Sequence, residues 1–391
     1  MITALHLRNF KCFEELDLPL RKLTLLTGFN AAGKSTVLQT ILLLTQTLRS
    51  DSRSEGLRLN GPLVRLGTPG DVINQKTGGT SLLLGVESDT IDVRWSFQAD
   101  DADDRRLLKL KSVHIRTSEM SKSVESTEDV LELLPQTAEA QPARALIDLL
   151  RQTIFVSAVR QTDTEVYLVP DDPKPVNASV GSIGEYAPWW FHQYDDFEID
   201  AARSVQASGF PPTLRGQVNA WAGEFFPGAE VNAQPISGSG LMRLELRTSR
   251  TDNWRRPSNI GYGLTYAFPL LVAGLCADPS QVLIVDSPEA HLHPRGQSRM
   301  GQFLAQAAAS GPQVIVETHS DHVLNGIRIA VRDGVIAPDD VVIHFFNSPT
   351  LNASVPQVVT VSVDRNGNLS HWSEGFFDQI EKDLANLAGW N

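Results

Sequence analysis

The chain has 391 residues, of which 41% are apolar and 20% charged, and its formal net charge is −12. These values are typical of a globular protein with two or three lobes, and the acidic balance argues against nucleic-acid binding by the surface as a whole. The only cysteines, Cys12 and Cys276, provide neither a disulfide framework nor the spacing of metal ligands. The first residues lack a signal-peptide pattern, and no apolar run approaches the ~18 residues of a membrane helix. We therefore expect a soluble, cytoplasmic protein with no membrane partner.

Residues 1–50 are predicted to form two strands, a loop and a helix. The run 23–27 is short, apolar and rich in β-formers, which is typical of a buried strand. Beyond the loop, apolar residues recur at helical spacing, which predicts a core-facing helix; they are Val37, Ile41, Leu44 and Leu48.

The loop between this strand and this helix fits the phosphate-loop pattern G-x-x-x-x-G-K-[ST] from Gly28 to Ser35. Its glycines allow backbone conformations closed to other residues, and its N–H groups face an anion at a helix N-terminus. Lys34 can bridge the β- and γ-phosphates, and the Ser35 hydroxyl can ligate Mg²⁺. The pattern therefore predicts a site for a nucleoside triphosphate and Mg²⁺. The residues that would hold the nucleotide are Gly28, Asn30, Ala31, Ala32, Gly33, Lys34, Ser35 and Thr36.

The middle of the chain follows a different pattern. Alternating strands at 81–86, 90–97 and 107–115 predict an antiparallel sheet, and a helix at 143–151 precedes a strand at 153–157. Residues 117–141 are predicted to form a polar loop, and residues 160–210, which contain several prolines, an irregular region.

From residue 259 onward strands alternate with helices again. Strands are predicted at 282–285, 314–316 and 341–346, and helices at 264–275, 297–309 and 321–332. We expect a mostly parallel sheet flanked by helices, shared with the phosphate-loop strand. The antiparallel β lobe and a mixed α/β second lobe would be inserted into it. The predicted divisions are an N-terminal ATPase half (1–75), an inserted lobe (76–258), a C-terminal ATPase half (259–348) and a small C-terminal segment (349–391).

A phosphate loop needs a Mg²⁺ carboxylate at the end of a neighbouring strand. Asp286 follows directly after the apolar run 282–285 and supplies one. Another apolar run ends a few residues before His319, where a sensor of the γ-phosphate belongs. The histidines near these runs do not complete a tetrahedral set, so no dedicated zinc site is predicted.

These motifs resemble the ABC-type head ATPases of the SMC, RecF and OLD lineage. More narrowly, the chain is similar to stand-alone bacterial AAA-family ATPases that end in a small domain of unknown function. The segments that carry the resemblance are 5–13 (LHLRNFKCF), 30–36 (NAAGKST), 288–294 (PEAHLHP), 317–322 (ETHSDH) and 372–379 (WSEGFFDQ).

The resemblance implies a role for several further residues. Asp286 would hold Mg²⁺ together with Ser35, and His319 would be the switch histidine that contacts the γ-phosphate. The Asn-Phe-Lys turn would bring Asn9 and Lys11 to the nucleotide. Residues 259–266 stand where the family has its signature loop, so Gly261 and Gly263 would contact ATP held by the other subunit. The resemblance thus implies a head-to-tail homodimer.

One position departs from the family pattern. The strand-end Asp is usually followed by a Glu that polarises the attacking water, whereas here Ser287 follows. Serine stays neutral near pH 7 and cannot act as a general base. Glu289 is the nearest acid and our candidate, together with Lys34 and His319, for the catalytic group. The alternative is an ATP-gated clamp that does not hydrolyse.

The resemblance also implies a biological role, as sensor or motor in a bacterial anti-phage defence system with a separately encoded effector. A rival from another class is a RecF-like DNA-repair clamp, and a third is a non-hydrolysing scaffold. DNA stays open as a partner, because the arginine-rich stretch 243–256 could contact phosphates or form a solvated strand edge. Similarly, Trp189 and Trp190 could stack on bases or pack a lobe.

Overall fold

The structure is a computed structural model that describes residues 1–50, 56–99, 107–118, 120–124, 130–162, 164–171, 180–205, 209–348, 357–371 and 379–389. All structural statements below concern these residues. None of the helices in this part of the chain combines the length and the apolar character needed to cross a membrane.

The strands, in chain order, are β1 (Ile2–Phe10), β2 (Phe13–Pro19), β3 (Leu23–Gly28), β4 (Gly56–Arg58), β5 (Ser81–Ser88), β6 (Ile91–Ala99), β7 (Leu107–Thr117), β8 (Ser121–Val124), β9 (Val130–Leu131), β10 (Leu134–Pro135), β11 (Ile154–Val156), β12 (Tyr167–Leu168), β13 (Glu230–Ile236), β14 (Leu241–Arg247), β15 (Val282–Asp286), β16 (Gln313–Glu317), β17 (Val341–Phe346) and β18 (Val358–Val361).

The helices are α1 (Lys34–Arg49), α2 (Pro69–Val72), α3 (Arg144–Arg151), α4 (Ala187–Gln193), α5 (Leu214–Phe225), α6 (Tyr262–Cys276), α7 (Pro294–Ser310), α8 (Asp321–Arg332) and α9 (Gln379–Leu387).

One sheet joins the start and the end of the chain. Its strand order is β11-β15-β16-β3-β17-β18, and every pair is parallel except β17 with β18. Leu25 of β3 lies in register with Val316 on one side and with Ile343 on the other. The phosphate-loop strand is therefore in the middle of this sheet, between two strands that follow it by about three hundred residues in the chain.

Both faces of the parallel sheet are buried. Along β15, Leu283 and Val285 enter a core with α4 to α8, whereas Val282 and Ile284 enter a second core with α1, α3 and the antiparallel sheet. A strand buried on both faces has no polar side to expose, which is why these runs are continuously apolar rather than alternating.

A second sheet is antiparallel, with the order β2-β1-β5-β6-β7-β4 and with β8 also paired to β7. The strands predicted at 81–86, 90–97 and 107–115 lie in it as β5, β6 and β7. This sheet begins earlier in the chain than the predicted insertion, because β1 pairs with both β2 and β5. The proposed divisions at 75/76, 258/259 and 348/349 stay predictions.

The prediction of an irregular region at 160–210 was wrong in part. This stretch contains the short strand β12 and the helix α4, in which Trp189 and Trp190 are 8% and 7% exposed. Pro188 lies in the first turn of α4, where its missing N–H has no partner to lose, so proline here starts a helix rather than preventing one. The buried tryptophans pack the lobe and are not free to stack on bases. Residues 125–129 and 372–378, which the sequence analysis discussed, lie outside the described residues.

The parallel strands end at a common edge. The strands β3, β15 and β16 end at Gly28, Asp286 and Glu317. In open α/β sheets, ligands bind at the carboxyl ends of neighbouring parallel strands. This edge carries the candidate site.

Candidate nucleotide-binding site

The loop from β3 to α1 has a backbone that only glycine accepts at two positions. Gly28 has φ 122°, and a Cβ there would stand 2.3 Å from the carbonyl oxygen of Phe346. Gly33 has φ 109°, and a Cβ there would stand 2.4 Å from Cζ of Phe13. Positive φ excludes most L side chains, and the lack of space excludes the rest. The loop is thus packed closely against β17 and β2.

The loop presents donors suited to phosphate. No side chain caps the N-terminus of α1, so the N–H groups of its first turn keep their positive partial charge for an anion. Lys34 is buried, and its Nζ donates to the carbonyl oxygens of Gly28 at 3.0 Å and Phe29 at 2.7 Å. Burial lowers the pKa of Lys34, while the charges of Glu317 and Asp286 oppose that shift.

A depression of about 360 Å³ lies over the loop. It is lined by Lys11, Cys12, Asn30, Ala31, Gly33, Lys34, Ser35, Thr36, Glu317 and His319. The remaining predicted loop residues, Gly28 and Ala32, lie beneath this surface, Gly28 against β17 and Ala32 in the core.

Lys11, in the turn between β1 and β2, and Asn9, near the end of β1, point to different surfaces. Their φ values are left-handed, 52° for Lys11 and 54° for Asn9. Nζ of Lys11 donates to Oε1 of Gln39 at 2.8 Å at the rim of the depression. The side-chain amide of Asn9 instead donates to the carbonyl of Ser81 at 3.4 Å, on the antiparallel sheet. The structure therefore brings Lys11 to the site, whereas Asn9 shapes the turn.

The two strand-end acids lie side by side. Asp286 and Glu317 are register partners of β15 and β16, and register partners share one face of a sheet about 4.8 Å apart. Oε1 of Glu317 accepts a hydrogen bond from the Ser35 hydroxyl at 2.9 Å. Burial and the neighbouring charge of Asp286 raise the pKa of Glu317 to about 7. Glu317 was not among the predicted site residues, because only the fold brings it within hydrogen-bonding distance of Ser35, 282 residues earlier in the chain.

Ser287, where the family pattern has glutamate, holds its neighbour. Its hydroxyl donates to Oδ1 of Asp286 at 2.9 Å, and its backbone has a left-handed φ of 49°. The Ser287 hydroxyl thus orients the Asp286 carboxylate, because serine has an O–H donor. An ionised glutamate at this position has only acceptors and would not make this hydrogen bond.

Glu289 is held against the strand-to-helix segment that carries His319. One oxygen of Glu289 accepts from the Thr318 hydroxyl at 2.6 Å and the other from the His319 N–H at 2.8 Å. Partial burial and the positive charge of Lys34 lower the pKa of His319, which favours its neutral form. Next along the chain, the Ser320 side chain accepts from the N–H groups of His322 and Val323 and starts α8.

Arg160 is a further residue that sequence reasoning missed. It is 3% exposed, and its Nη2 donates to the carbonyl oxygens of Asp286 at 2.7 Å and Ser287 at 3.0 Å. Burial lowers the pKa of Arg160 to about 10, so it stays charged at neutral pH behind the acids. No local motif could have indicated this contact, which joins residues 126 positions apart.

Gly261 and Gly263 lie in a different depression, of about 340 Å³, at the start of α6. A Cβ on Gly263 would stand 2.8 Å from the carbonyl oxygen of His291 and 2.7 Å from the Phe226 ring, whereas Gly261 faces open space. The ring of His291 packs on Tyr266 with centroids 4.4 Å apart. Within one chain, the signature-like loop and the phosphate loop therefore form separate surfaces.

A polar cluster on the antiparallel sheet offers a second arrangement of metal-ligand type. Ligand atoms of His6, Glu87 and Asp92 lie within 4.8 Å of one another. All three take part in ion pairs, however: His6 pairs with Asp17 at 2.6 Å and with Glu87 at 3.1 Å, and Asp92 pairs with Arg94 at 3.0 Å. These ion pairs explain the cluster without a cation.

Comparison with known proteins gives the family and the fold. The family model described as "AAA domain, putative AbiEii toxin, Type IV TA system" matches residues 23–325, and "Protein of unknown function (DUF3696)" matches residues 336–387. The chain is 23% identical over 349 residues to the OLD nuclease of Thermus scotoductus, covering 82% of this chain and 59% of that protein. It therefore spans about three fifths of the relative's length.

Among solved structures, the chain is similar to an SMC head crystallised with the C-winged helix domain of ScpA. The TM-score is 0.50 at 13% identity, with 93% of this chain and 98% of the other covered. At that identity the likeness concerns the fold alone. Together with the family models, it confirms the resemblance to SMC- and OLD-like ATPases with a small C-terminal domain.

Proposed function

The chain belongs to the AAA-domain family described as putative AbiEii toxin, Type IV TA system, and from this premise we propose that it is an ABC-type head that binds and slowly hydrolyses ATP. The observation that carries the proposal is the convergence of a phosphate loop, two strand-end acids and His319 on one edge of the sheet. Anion donors and cation ligands stand side by side there, which is the requirement of a nucleotide with its metal.

Lys34 and the loop N–H groups bind the phosphates. The amino group of Lys34 now donates to two backbone carbonyls, and phosphate oxygens can replace these acceptors without moving the buried stem. His319, at the mouth of the depression and favoured in its neutral form, can donate one hydrogen bond to the terminal phosphate. These contacts orient the phosphate for attack by water.

The residues present fit Mg²⁺. Ser35 and Asp286 offer a hydroxyl and a carboxylate, which are oxygen ligands of the kind that this ion prefers, and Ser287 fixes the carboxylate. When bound, Mg²⁺ supplies neutralisation of charge on the phosphate oxygens. Glu289 is the proposed acceptor of the proton from the attacking water, and its hydrogen bonds to Thr318 and His319 keep it beside the histidine.

We propose slow turnover because Glu289 is not directly adjacent to Asp286 in the chain and its two oxygens are already engaged. A general base must reach a water within hydrogen-bonding distance. Glu289 has to give up one of these bonds to do so, which adds to the barrier.

The proposed assembly is a head-to-tail homodimer with ATP between the subunits. The exposed start of α6, with Gly261 at its N-cap, lies apart from the phosphate loop of its own chain and is free to contact a second copy. From the resemblance to the SMC, RecF and OLD lineage we also propose a role in anti-phage defence with a separate effector; the match to the family described as "putative AbiEii toxin, Type IV TA system" is the finding that supports it.

A DNA-repair clamp gains less support from the basic stretch. Arg247 and Arg250 both pair with Glu230, and the guanidinium of Arg247 stacks on Trp254 at 4.5 Å. These arginines are engaged within the β13–β14 hairpin rather than held free for phosphates.

The proposal is tested by measuring the molar mass of the protein in solution with and without ATP. The variant Glu289→Gln is used because it should slow hydrolysis and keep ATP bound. We expect Glu289→Gln to dimerise with ATP, and Lys34→Ala to stay monomeric. Stimulation of wild-type hydrolysis by double-stranded DNA would favour the repair clamp instead. A protein that binds no ATP would refute the proposal entirely.

A further inference from the structure

Glu317 has a carboxylate oxygen without a partner. The residue is 4% exposed, and while Oε1 accepts from Ser35, Oε2 is buried with no hydrogen-bond partner among the described residues. Leaving a buried acceptor unsatisfied costs about 1–3 kcal/mol, and more for a charged group. An acid in this position therefore calls for a partner that the side chains in the described part of the chain do not provide.

The nearest cation of the chain does not fill this role. Nζ of Lys34 is bound to the carbonyls of Gly28 and Phe29, although its charge reaches Glu317. Arg160 donates instead to the backbone carbonyls of Asp286 and Ser287. Glu317 lines the depression, its other oxygen accepts from the Ser35 hydroxyl, and its register partner is Asp286.

This set of neighbours indicates the chemical class of the missing partner. Two carboxylates in register and one hydroxyl are hard oxygen ligands, the set that Mg²⁺ and Mn²⁺ take. They would repel a phosphate chain that arrived without a cation. A neutral ligand would leave both carboxylates uncompensated.

We propose that Glu317 is a second carboxylate of the divalent-cation site, beside the strand-end acid Asp286, and makes nucleotide binding dependent on the cation. This inference rests on the proposed function. With the cation bound, the charges of Glu317 and Asp286 are offset and the phosphates are accepted. Without it, the pair of carboxyl groups leaves uncompensated negative charge next to the loop and weakens ATP binding.

The test is the affinity for the fluorescent analogue mant-ATP, measured with excess Mg²⁺ and again with EDTA. We expect Mg²⁺ to tighten wild-type binding by about tenfold or more, which is within the range of about 10–100-fold by which groups that support metal ligands alter metal affinity. In Glu317→Gln, which keeps an acceptor for Ser35, the ratio of the two affinities should fall toward one. Binding in EDTA should be stronger than in wild type.

Glu224→Gln is the matched control, since it removes a carboxylate that pairs with Arg299 at 3.2 Å and does not line the phosphate depression. It should keep the wild-type ratio. Glu317→Met lacks both the charge and the carboxylate oxygens. It should show the same lowered ratio of affinities as Glu317→Gln, which would exclude an effect of the glutamine amide itself. Replacing Mg²⁺ by Mn²⁺ adds a direct readout, because free Mn²⁺ gives an electron paramagnetic resonance signal that bound Mn²⁺ loses.

A Glu317→Gln variant with the wild-type ratio and wild-type Mn²⁺ binding would overturn the inference and leave the proposed function standing. A wild-type protein that binds mant-ATP under neither condition would overturn the proposed function, and this inference with it.

Discussion

Replacing Gly28 by alanine should destabilise the protein and loosen the phosphate loop. The new Cβ would stand 2.3 Å from the carbonyl oxygen and 2.6 Å from the nitrogen of Phe346, both of them backbone atoms that cannot rotate away. A φ of 122° adds backbone strain of about 1–3 kcal/mol, and crowding of this kind adds a similar amount, so we expect a loss of about 4 kcal/mol. The hydrogen bond from the Phe29 N–H to the Phe346 carbonyl would be strained as well.

Urea denaturation and mant-ATP titration measure the two effects on one sample. Gly223→Ala is the control, because Gly223 lies in α5 with nothing within 4 Å of an added Cβ. That variant should gain about 0.5–1 kcal/mol and bind nucleotide normally, since alanine restricts the unfolded chain more than glycine does. A Gly28→Ala protein as stable as wild type would refute the reasoning, since it would mean that β3 and β17 separate freely.

Two further predictions concern buried basic side chains, one charged and one neutral at pH 7. Arg160→Lys replaces a planar guanidinium, which donates to two carbonyls, by a point charge. We expect turnover of ATP to fall about tenfold, while the affinity for mant-ATP in EDTA stays unchanged. Unchanged turnover would mean that the turn holds Asp286 in place without Arg160. His344 is buried, donates to the Pro19 carbonyl, and has a pKa lowered by burial to about 4. Because the unfolded chain takes up a proton near pH 6.5 and the folded one only near 4, stability should fall by about 3 kcal/mol between pH 7.5 and 4. His344→Gln should lose this part of the pH dependence in urea titrations, and equal slopes for the two proteins would contradict it.

The local elements could be predicted because their signals are local. The helix predicted at 321–332 is α8 as observed, and the strands predicted at 282–285 and 341–346 agree with β15 and β17 to within one residue. In each case an apolar run or a helical period is bounded by a polar residue or a cap such as Ser320. The order of strand, loop and helix around Gly28 was predictable for the same reason.

The contacts that shape the site were not predictable in this way. Glu317 lies beside Asp286 because of the register of β16 against β15. Arg160 contacts Asp286 because the fold brings together two residues that are 126 positions apart in the chain. Neither arrangement leaves a periodic or spaced pattern in the sequence. The same holds for the pairing of β1 with β5, which assigns the first strand to the antiparallel sheet.

The helix α4 shows how a correct local rule was misapplied. Several prolines between 160 and 210 indicated irregular structure, yet Pro188 occupies the first turn, where proline is favoured. The aromatic residues that follow are buried by α6 and β14, a tertiary effect that local propensity does not contain.

Steady-state release of phosphate from ATP by the purified protein, beside Lys34→Ala, tests the central claim most directly. The account predicts slow turnover by wild type, clearly above the Lys34→Ala background, and its loss in Glu289→Gln. ATP binding with turnover no higher than that of Lys34→Ala would contradict it, and would mean that Ser287 belongs to an ATP-binding scaffold that does not hydrolyse.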